Sequence, residues 1–303
     1  MKTFFYLDEV IVDFDKPHLM VKDEFQSYFG KTELKPFLLS EICVLDMLYT
    51  IANLEDGYYK KRLVLKGGHS IRNLVSLIDH RFSFDADFNL NSPEGYTYGK
   101  VKNLRKDLQK YGSKRGCSTQ TEVTQDSNML YFLQINYDAP LQNKGAKMIE
   151  VPKIEICKTC RTRKNPQLAK TNTMIDLELF GLKPPELFYL SLEEQLADKL
   201  RVIGATGRQR NNFDAYDVLR ICNENATKID WSLTREIFYE IIVKSGKKVN
   251  KYIDECRHQL QTMLDNPNKK SNLENVIFNS DSFDFEYMIN FVKSVYDFKK
   301  PSL

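Results

Sequence analysis

Apolar residues recur along this chain in two rhythms, one for each half. The first half opens with a lead-in, 1–35, that resists assignment apart from a short strand at Val10-Ile11-Val12. Leu38, Ile42, Leu45, Met47, Leu48 and Ile51 then supply one helical face, and Pro36 suits a first turn, so a helix is predicted from about Pro36 to Asn53. Leu63, Val64 and Leu65 form a short apolar strand ending at Gly67-Gly68, and Ile71, Leu74, Val75, Leu77 and Ile78 follow at helical spacing. Phe82, Phe84, Ala86 and Phe88 next alternate with polar residues, the mark of a half-buried strand whose polar face carries Ser83, Asp85 and Asp87. A basic amphipathic helix over roughly Tyr98–Tyr111 precedes three predicted strands, Thr119–Thr124, Leu130–Tyr137 and Met148–Ile156. The turn-rich Gln125-Asp126-Ser127-Asn128 joins the first two as a hairpin.

The second half is helical. Gly181-Leu182-Lys183-Pro184-Pro185 reads as a boundary, and Ser191-Leu192-Glu193-Glu194 as a capping box opening a helix that runs through Leu196, Leu200 and Ile203 to Gly204. Further helices are predicted at Phe213–Cys222, Leu233–Lys244, Lys251–Leu264 and Phe283–Phe298. The pattern as a whole is an α+β domain over 1–183 followed by an all-helical domain over 184–303.

Composition changes this picture little. A chain of 303 residues with 42% hydrophobic and 12% aromatic content can bury ordinary cores. Its net charge of +3 says less than the distribution of that charge. Lys100, Lys102, Arg105, Lys106, Lys110, Lys114 and Arg115 face a single acid, Asp107, and Lys153, Lys158, Arg161, Arg163, Lys164 and Lys170 form a second basic run. Such clusters either neutralise phosphates or are solvated faces. No stretch approaches the roughly 20 apolar residues of a membrane span, and the N-terminus does not have the form of a signal peptide. Of six cysteines only Cys157 and Cys160 are spaced C-x-x-C, with no second pair and no histidine at zinc spacing. Reduced thiols in a cytoplasmic protein are the expectation.

The chemistry concentrates between Leu63 and Leu90. Gly67-Gly68 lies where a strand gives way to a helix, so bare amides and a helix N-terminus there can hold phosphate oxygens. Asp85 and Asp87 share a strand face and can converge on a divalent cation, and an oxygen-only donor set suits Mg²⁺. Alone, a Gly-Gly is more often a tight turn and an Asp-x-Asp a solvated edge. One helix apart, they form the layout needed to hold a nucleoside triphosphate. A third carboxylate, Glu155, lies on a later strand opposite in facing to Ile154 and Ile156. Lys199, beside Leu196, Ala197 and Leu200, is a candidate to reach a phosphate. Asp214 and Asp217 lie on one face at the start of a helix, able to orient Lys199, Arg208 or a ribose, or simply to sit well in the helix dipole.

In order, the chain carries Gly-Gly-x-Ser at 67–70, Arg-x-Ser-x-Asp-x-Asp at 81–87, Glu155, Glu-x-x-Ala-x-Lys at 194–199 and Asp-x-x-Asp at 214–217. That ordered set resembles the AbiEii/AbiGii nucleotidyltransferase toxins of the DNA polymerase β-like superfamily, with the motifs running from Lys66 to Asp217. His69 stands where that family often has Thr or Ser, and Phe213 where it often has a basic residue.

The resemblance implies a nucleotidyltransferase core, a mixed β-sheet flanked by helices, followed by a helical domain. It implies transfer of a nucleoside monophosphate from an NTP with release of pyrophosphate, dependent on Mg²⁺ with Mn²⁺ as an alternative. Asp85, Asp87 and Glu155 would be the metal ligands, and these three with Lys199 the catalytic set. Lys66, Gly67, Gly68, Ser70, Arg81, Ser83, Lys199, Asp214 and Asp217 would bind the nucleotide. Lys102, Arg105, Lys106 and Lys110 are the candidates to bind an RNA acceptor, tRNA foremost. A toxin of this kind implies a cognate antitoxin and a role in abortive infection. A catalytically silent nucleotide- or RNA-binding protein, and a transferase acting on a small molecule, are the competing readings.

Overall fold

A computed structural model describes residues 2–4, 11–13, 21–29, 35–54, 58–77, 81–83, 85–91, 103–104, 106–107, 120–124, 130–136, 153–205, 207–277 and 283–300. The chain forms two compact units. One comprises Met1–Asn73, Phe82–Thr162 and Pro166–Tyr189; the other comprises Leu74–Arg81, Arg163–Asn165 and Leu190–Leu303.

The first unit is built on a mixed sheet. Its strands are β3 (Leu63–Lys66), β4 (Asp85–Leu90), β5 (Gln120–Thr124), β6 (Leu130–Asn136), β7 (Lys153–Arg161), β8 (Gln167–Lys170) and β9 (Glu186–Tyr189), in the spatial order β5-β6-β7-β4-β3-β9-β8. The pairs β4–β7 and β3–β9 are parallel and the rest antiparallel. A separate two-stranded ribbon pairs β1 (Lys2–Phe4) with β2 (Ile11–Asp13). The helices are α1 (Asp23–Phe29), α2 (Lys35–Asn53), α3 (Tyr58–Arg62) and the short α4 (Gly67–Ile71).

Alternation along the central strands decides what each face does. Leu63 and Leu65 of β3, Ala86, Phe88 and Leu90 of β4, and Ile154 and Ile156 of β7 are buried in one core with Val44, Met47, Leu48 and Ile51 of α2. Burial of a side chain such as Phe88 contributes about 2 kcal/mol, so this face fixes the register. A slip by one residue would turn the whole set outward. The opposite face is thereby left to Lys66, Asp85, Asp87 and Glu155.

The predicted hairpin is present as β5–β6, and the predicted α2 begins one residue early. Three expectations need correction. The acidic strand starts at Asp85, so Ser83 precedes it instead of sharing its polar face. The helix after the glycines is only Gly67–Ile71, and its glycines are its first residues. The third strand extends to Arg161, well past Ile156, while 148–152 lie outside the described residues. Two strands on either side of the boundary, β8 and β9, are not predicted by the sequence, being too short and too mixed to show a period. Of the basic helix, 103–104 and 106–107 are helical and the rest lies outside the described residues.

In the second unit the helices are α5 (Leu192–Ile203), α6 (Asn211–Asn225), α7 (Trp231–Lys244), α8 (Val249–Leu264), α9 (Pro267–Glu274) and α10 (Phe285–Val295). Leu196, Leu200, Val218, Phe238, Ile242, Cys256, Leu260, Met288 and Val292 are among its buried residues. Four helices start on a side-chain cap: Ser191, Asp230, Asn266 and Asp284 each accept from an amide of the first turn. The α9 helix escaped the sequence reading because its Asn, Lys and Ser content leaves no apolar stripe. Gly204 ends α5 as predicted, though at φ −83. It is a glycine for a different reason: a Cβ there would collide with Cys256 Sγ, so α5 and α8 approach through it. Cys222 and Cys256 are free and buried, but Cys157 is disulfide-bonded, against the expectation of reduced thiols. Oxidation depends on which sulfur lies beside it in space, which spacing along the chain does not encode.

The Ser191 cap is a local test of this unit. Its Oγ accepts from the Glu194 amide at 3.2 Å, and Ser191→Ala should lower stability by about 1 kcal/mol. Urea denaturation should show an earlier midpoint at unchanged slope; an unaltered midpoint would mean that the cap contributes nothing.

Candidate active site

In the first unit, strand register gathers the acids. Asp87 is opposite Lys66 on β3 and directly beside Glu155 on β7, and Asp85 pairs in register with Lys153. Directly paired residues project from the same face, so Lys66, Asp87 and Glu155 form a row across three strands, with Asp85 one pleat along. All four are half-buried.

The glycine turn meets this row. Gly67 has φ +72, a conformation that favours glycine. A Cβ at Gly67 would fall on Asp87 Oδ2, far inside van der Waals contact. The carboxylate therefore lies against the bare backbone of the turn. Behind it, Gly68, His69, Ser70 and Ile71 are buried, and Ser70 Oγ has no hydrogen-bond partner among the described residues.

Among the described residues no three or more His, Cys, Asp or Glu side chains are already drawn together as a metal cage. The donor set nonetheless fits Mg²⁺, which takes one or two carboxylates and completes its shell with water and substrate phosphates. Asp85 and Asp87, with Glu155 next in register, provide oxygen donors of that type.

Ser83 is buried and held through its backbone: its amide donates to Glu41 Oε1 at 3.0 Å, and its carbonyl lies 3.1 Å from His69 Nε2. Glu41 in turn forms a two-pronged ion pair with Arg72. Neither Glu41 nor Arg72 was singled out in the sequence. The available signal was an acid set within the apolar stripe of α2, three residues after Leu38 and four before Leu45.

The remaining candidates belong to the second unit. Arg81 donates to Asp217 through Nε at 2.9 Å and Nη2 at 2.8 Å, with the Phe213 ring centroid 5.3 Å from its Cζ. Lys199 Nζ lies 2.8 Å from Asp214 Oδ1 and 2.7 Å from Asp217 Oδ2, and Arg208 Nε donates to Asp214 Oδ2. Lys199, Asp214 and Asp217 are buried, while the Arg208 side chain is 40% exposed. Burial works to lower the Lys199 ammonium, but Asp214 and Asp217 outweigh it and hold it above its ordinary value. The Arg81 guanidinium is likewise opposed by burial and raised by Asp217 and Asp214. Among the described residues, Asp214 and Asp217 are thus shared by three cations, Arg81, Lys199 and Arg208.

Glu194, predicted to complete the capping box, is turned to another use: its carboxylate accepts from the amides of Arg163 and Lys164 at 2.6 and 3.2 Å. Burial still raises its proton affinity above the usual carboxylate range, against those two amides. Among the acceptor-binding candidates, Lys106 is exposed, and Lys102, Arg105 and Lys110 lie outside the described residues. No described helix is long and apolar enough to cross a membrane.

Comparison with known proteins bears on this arrangement. No curated protein matches the chain. A solved structure, MenT4, the nucleotidyltransferase toxin Rv2826c from Mycobacterium tuberculosis H37Rv, superposes with a TM-score of 0.49 at 14% identity, covering 89% of this chain and 97% of that one. Residues 50–285 match the family described as nucleotidyl transferase AbiEii toxin, type IV TA system. That span holds every acid and cation placed above except Glu41, and the chain accordingly belongs to the AbiEii nucleotidyltransferase toxins of type IV toxin–antitoxin systems.

Proposed function

We propose that the protein transfers a nucleoside monophosphate from an NTP to an acceptor hydroxyl on RNA, tRNA foremost, in a Mg²⁺-dependent reaction. The observation that carries this reading is the packing of the Asp87 carboxylate on the bare Gly67 turn, with Glu155 beside it in register. A phosphate held at that turn would lie next to the acids. The cation would be held by Asp85, Asp87 and Glu155, where it would neutralise phosphate charge during in-line displacement.

The chain's own groups account for the rest. Gly67, Gly68 and Ser70 would receive terminal phosphate oxygens, and Lys66 would add a compensating charge. Glu155 would orient the acceptor hydroxyl and draw its proton as the new bond to the α-phosphorus forms and the bond to the pyrophosphate oxygen breaks. Lys199, kept charged by its two aspartates, would offset negative charge growing on the leaving pyrophosphate. Arg81, Ser83, Asp214 and Asp217 would serve nucleotide binding by holding such groups in place. Lys102, Arg105, Lys106 and Lys110 would neutralise acceptor phosphates. A cognate antitoxin would restrain this activity in a cytoplasmic setting, with abortive infection the outcome on release.

The direct experiment is incubation with each radiolabelled triphosphate and total cellular RNA. Label should enter RNA from one or more triphosphates; label entering only small molecules, or none, would overturn the RNA assignment. Asp85→Asn or Asp87→Asn removes a charged oxygen at nearly constant shape, so transfer should fall at least ~10²-fold. Full activity in either folded variant would refute the site. Gly67→Ala should be as damaging, because the new methyl must displace the Asp87 carboxylate or break the turn; retained activity would show that the close approach is dispensable.

Lys199→Met separates binding from catalysis. If Lys199 acts on the leaving group, single-turnover transfer must slow by a larger factor than calorimetric nucleotide affinity weakens. Equal losses would make it a binding residue alone. The same variant leaves two buried carboxylates short of a cation and should lower stability by roughly 3 kcal/mol, so both measurements belong well below its unfolding temperature.

A further inference from the structure

We propose that Glu41, Arg72 and His69 are positioning residues that clamp the Ser83 backbone and thereby set how tightly Asp85 and Asp87 hold a divalent cation; this rests on the cation site of the preceding section. A carbonyl oxygen can only accept, so the 3.1 Å contact requires the proton of His69 on Nε2, donating to Ser83 O. The Ser83 amide donates the other way, to Glu41 Oε1 at 3.0 Å. One peptide unit either side of Ser83 is therefore held, two residues before β4 begins at Asp85.

Both holds lead back to the glycine turn. His69 lies within α4, the helix that Gly67 opens, and Arg72 follows its last residue. Arg72 is fixed on its far side by Asn172 Nδ2, which donates to the Arg72 carbonyl at 3.1 Å. The phosphate-facing turn and the entry to the acidic strand are thus tied to each other through three side chains, all at most 3% exposed.

Stability alone does not account for such a pair. Desolvating a carboxylate and a guanidinium together is costly, and an apolar pair of equal volume is often at least as stable. What an apolar pair lacks is an acceptor for the Ser83 amide. A released Ser83 would let the first residues of β4 sample other directions, and an oxygen donor held loosely must give up more freedom when a cation arrives.

The test reads Mn²⁺ binding to the full-length protein by electron paramagnetic resonance, with no nucleotide and no turnover, beside a thermal denaturation curve. His69→Met removes the donor and should weaken Mn²⁺ binding roughly 5- to 10-fold, the worth of one lost hydrogen bond. His69→Gln returns an N–H near the same place and should recover most of the loss. The paired variant Glu41→Gln with Arg72→Met keeps an acceptor without the buried charges and should stay within roughly twofold of the parent. Glu41→Met with Arg72→Met should weaken binding like His69→Met. Parent-like affinity in both donor- and acceptor-deleted variants overturns the clamp, as does a Gln variant at position 69 as weak as the Met one. If Asp87→Asn binds Mn²⁺ like the parent, the cation site itself is wrong and the clamp falls with it. Parent binding that Asp87→Asn abolishes and His69→Met leaves untouched would fell the clamp alone.

Discussion

At Gly67 a carboxylate occupies the space that any other residue's Cβ would need. With φ at +72 the turn leaves the strand in a direction that other residues reach only under strain, and Asp87 Oδ2 packs onto the exposed backbone. Much of the first unit serves that approach. The buried face of β3, β4 and β7 holds register against α2, so the polar face presents Lys66, Asp87 and Glu155 in one row. Loss of register by a single residue would bury the acids and expose Phe88 and Ile154, a change opposed by several kcal/mol of apolar burial.

The second unit solves a different electrostatic problem. Lys199, Asp214 and Asp217 are removed from water, where a lone charge would be untenable. Shared ion pairs offset that cost: Asp217 serves Arg81 and Lys199, and Asp214 serves Lys199 and Arg208. Arg208 alone of the cations remains well exposed. Among the described residues the fold, and not flexible surface lysines, thus fixes where these charges lie.

The sequence displayed the parts of this arrangement that are local. Alternation around Phe88 revealed the acidic strand, helical spacing gave α2 and the large helices of the second unit, and Ser191 marked the start of α5. Family resemblance rested on the order of short motifs, and the family match over 50–285 agrees with it. What stayed hidden depends on partners distant in the chain. Nothing next to Arg81 indicates Asp217, 136 positions on, and nothing next to Glu194 indicates the amides of Arg163 and Lys164. Short strands such as β8 and β9 carry too few residues for a period to emerge, since they exist by pairing with each other and with β3. Glu41 was legible in principle, as an acid in an apolar stripe, yet its meaning required Arg72 and Ser83 beside it.

The segment Leu74–Arg81 belongs with the helices of the second unit although both its ends run into the first. Ser76 donates its amide to Glu224, Asn225 reaches the Leu74 carbonyl, and Arg81 closes the segment on Asp217. The helical part is therefore no detachable module: it borrows a piece of chain lying between the glycine turn and the acidic strand. Recombination that exchanged everything after Leu190 for the matching part of a distant relative would leave a guanidinium from one parent seeking a carboxylate from the other. A chain that lost Asp217 would leave the buried Arg81 guanidinium without the two hydrogen bonds it donates there.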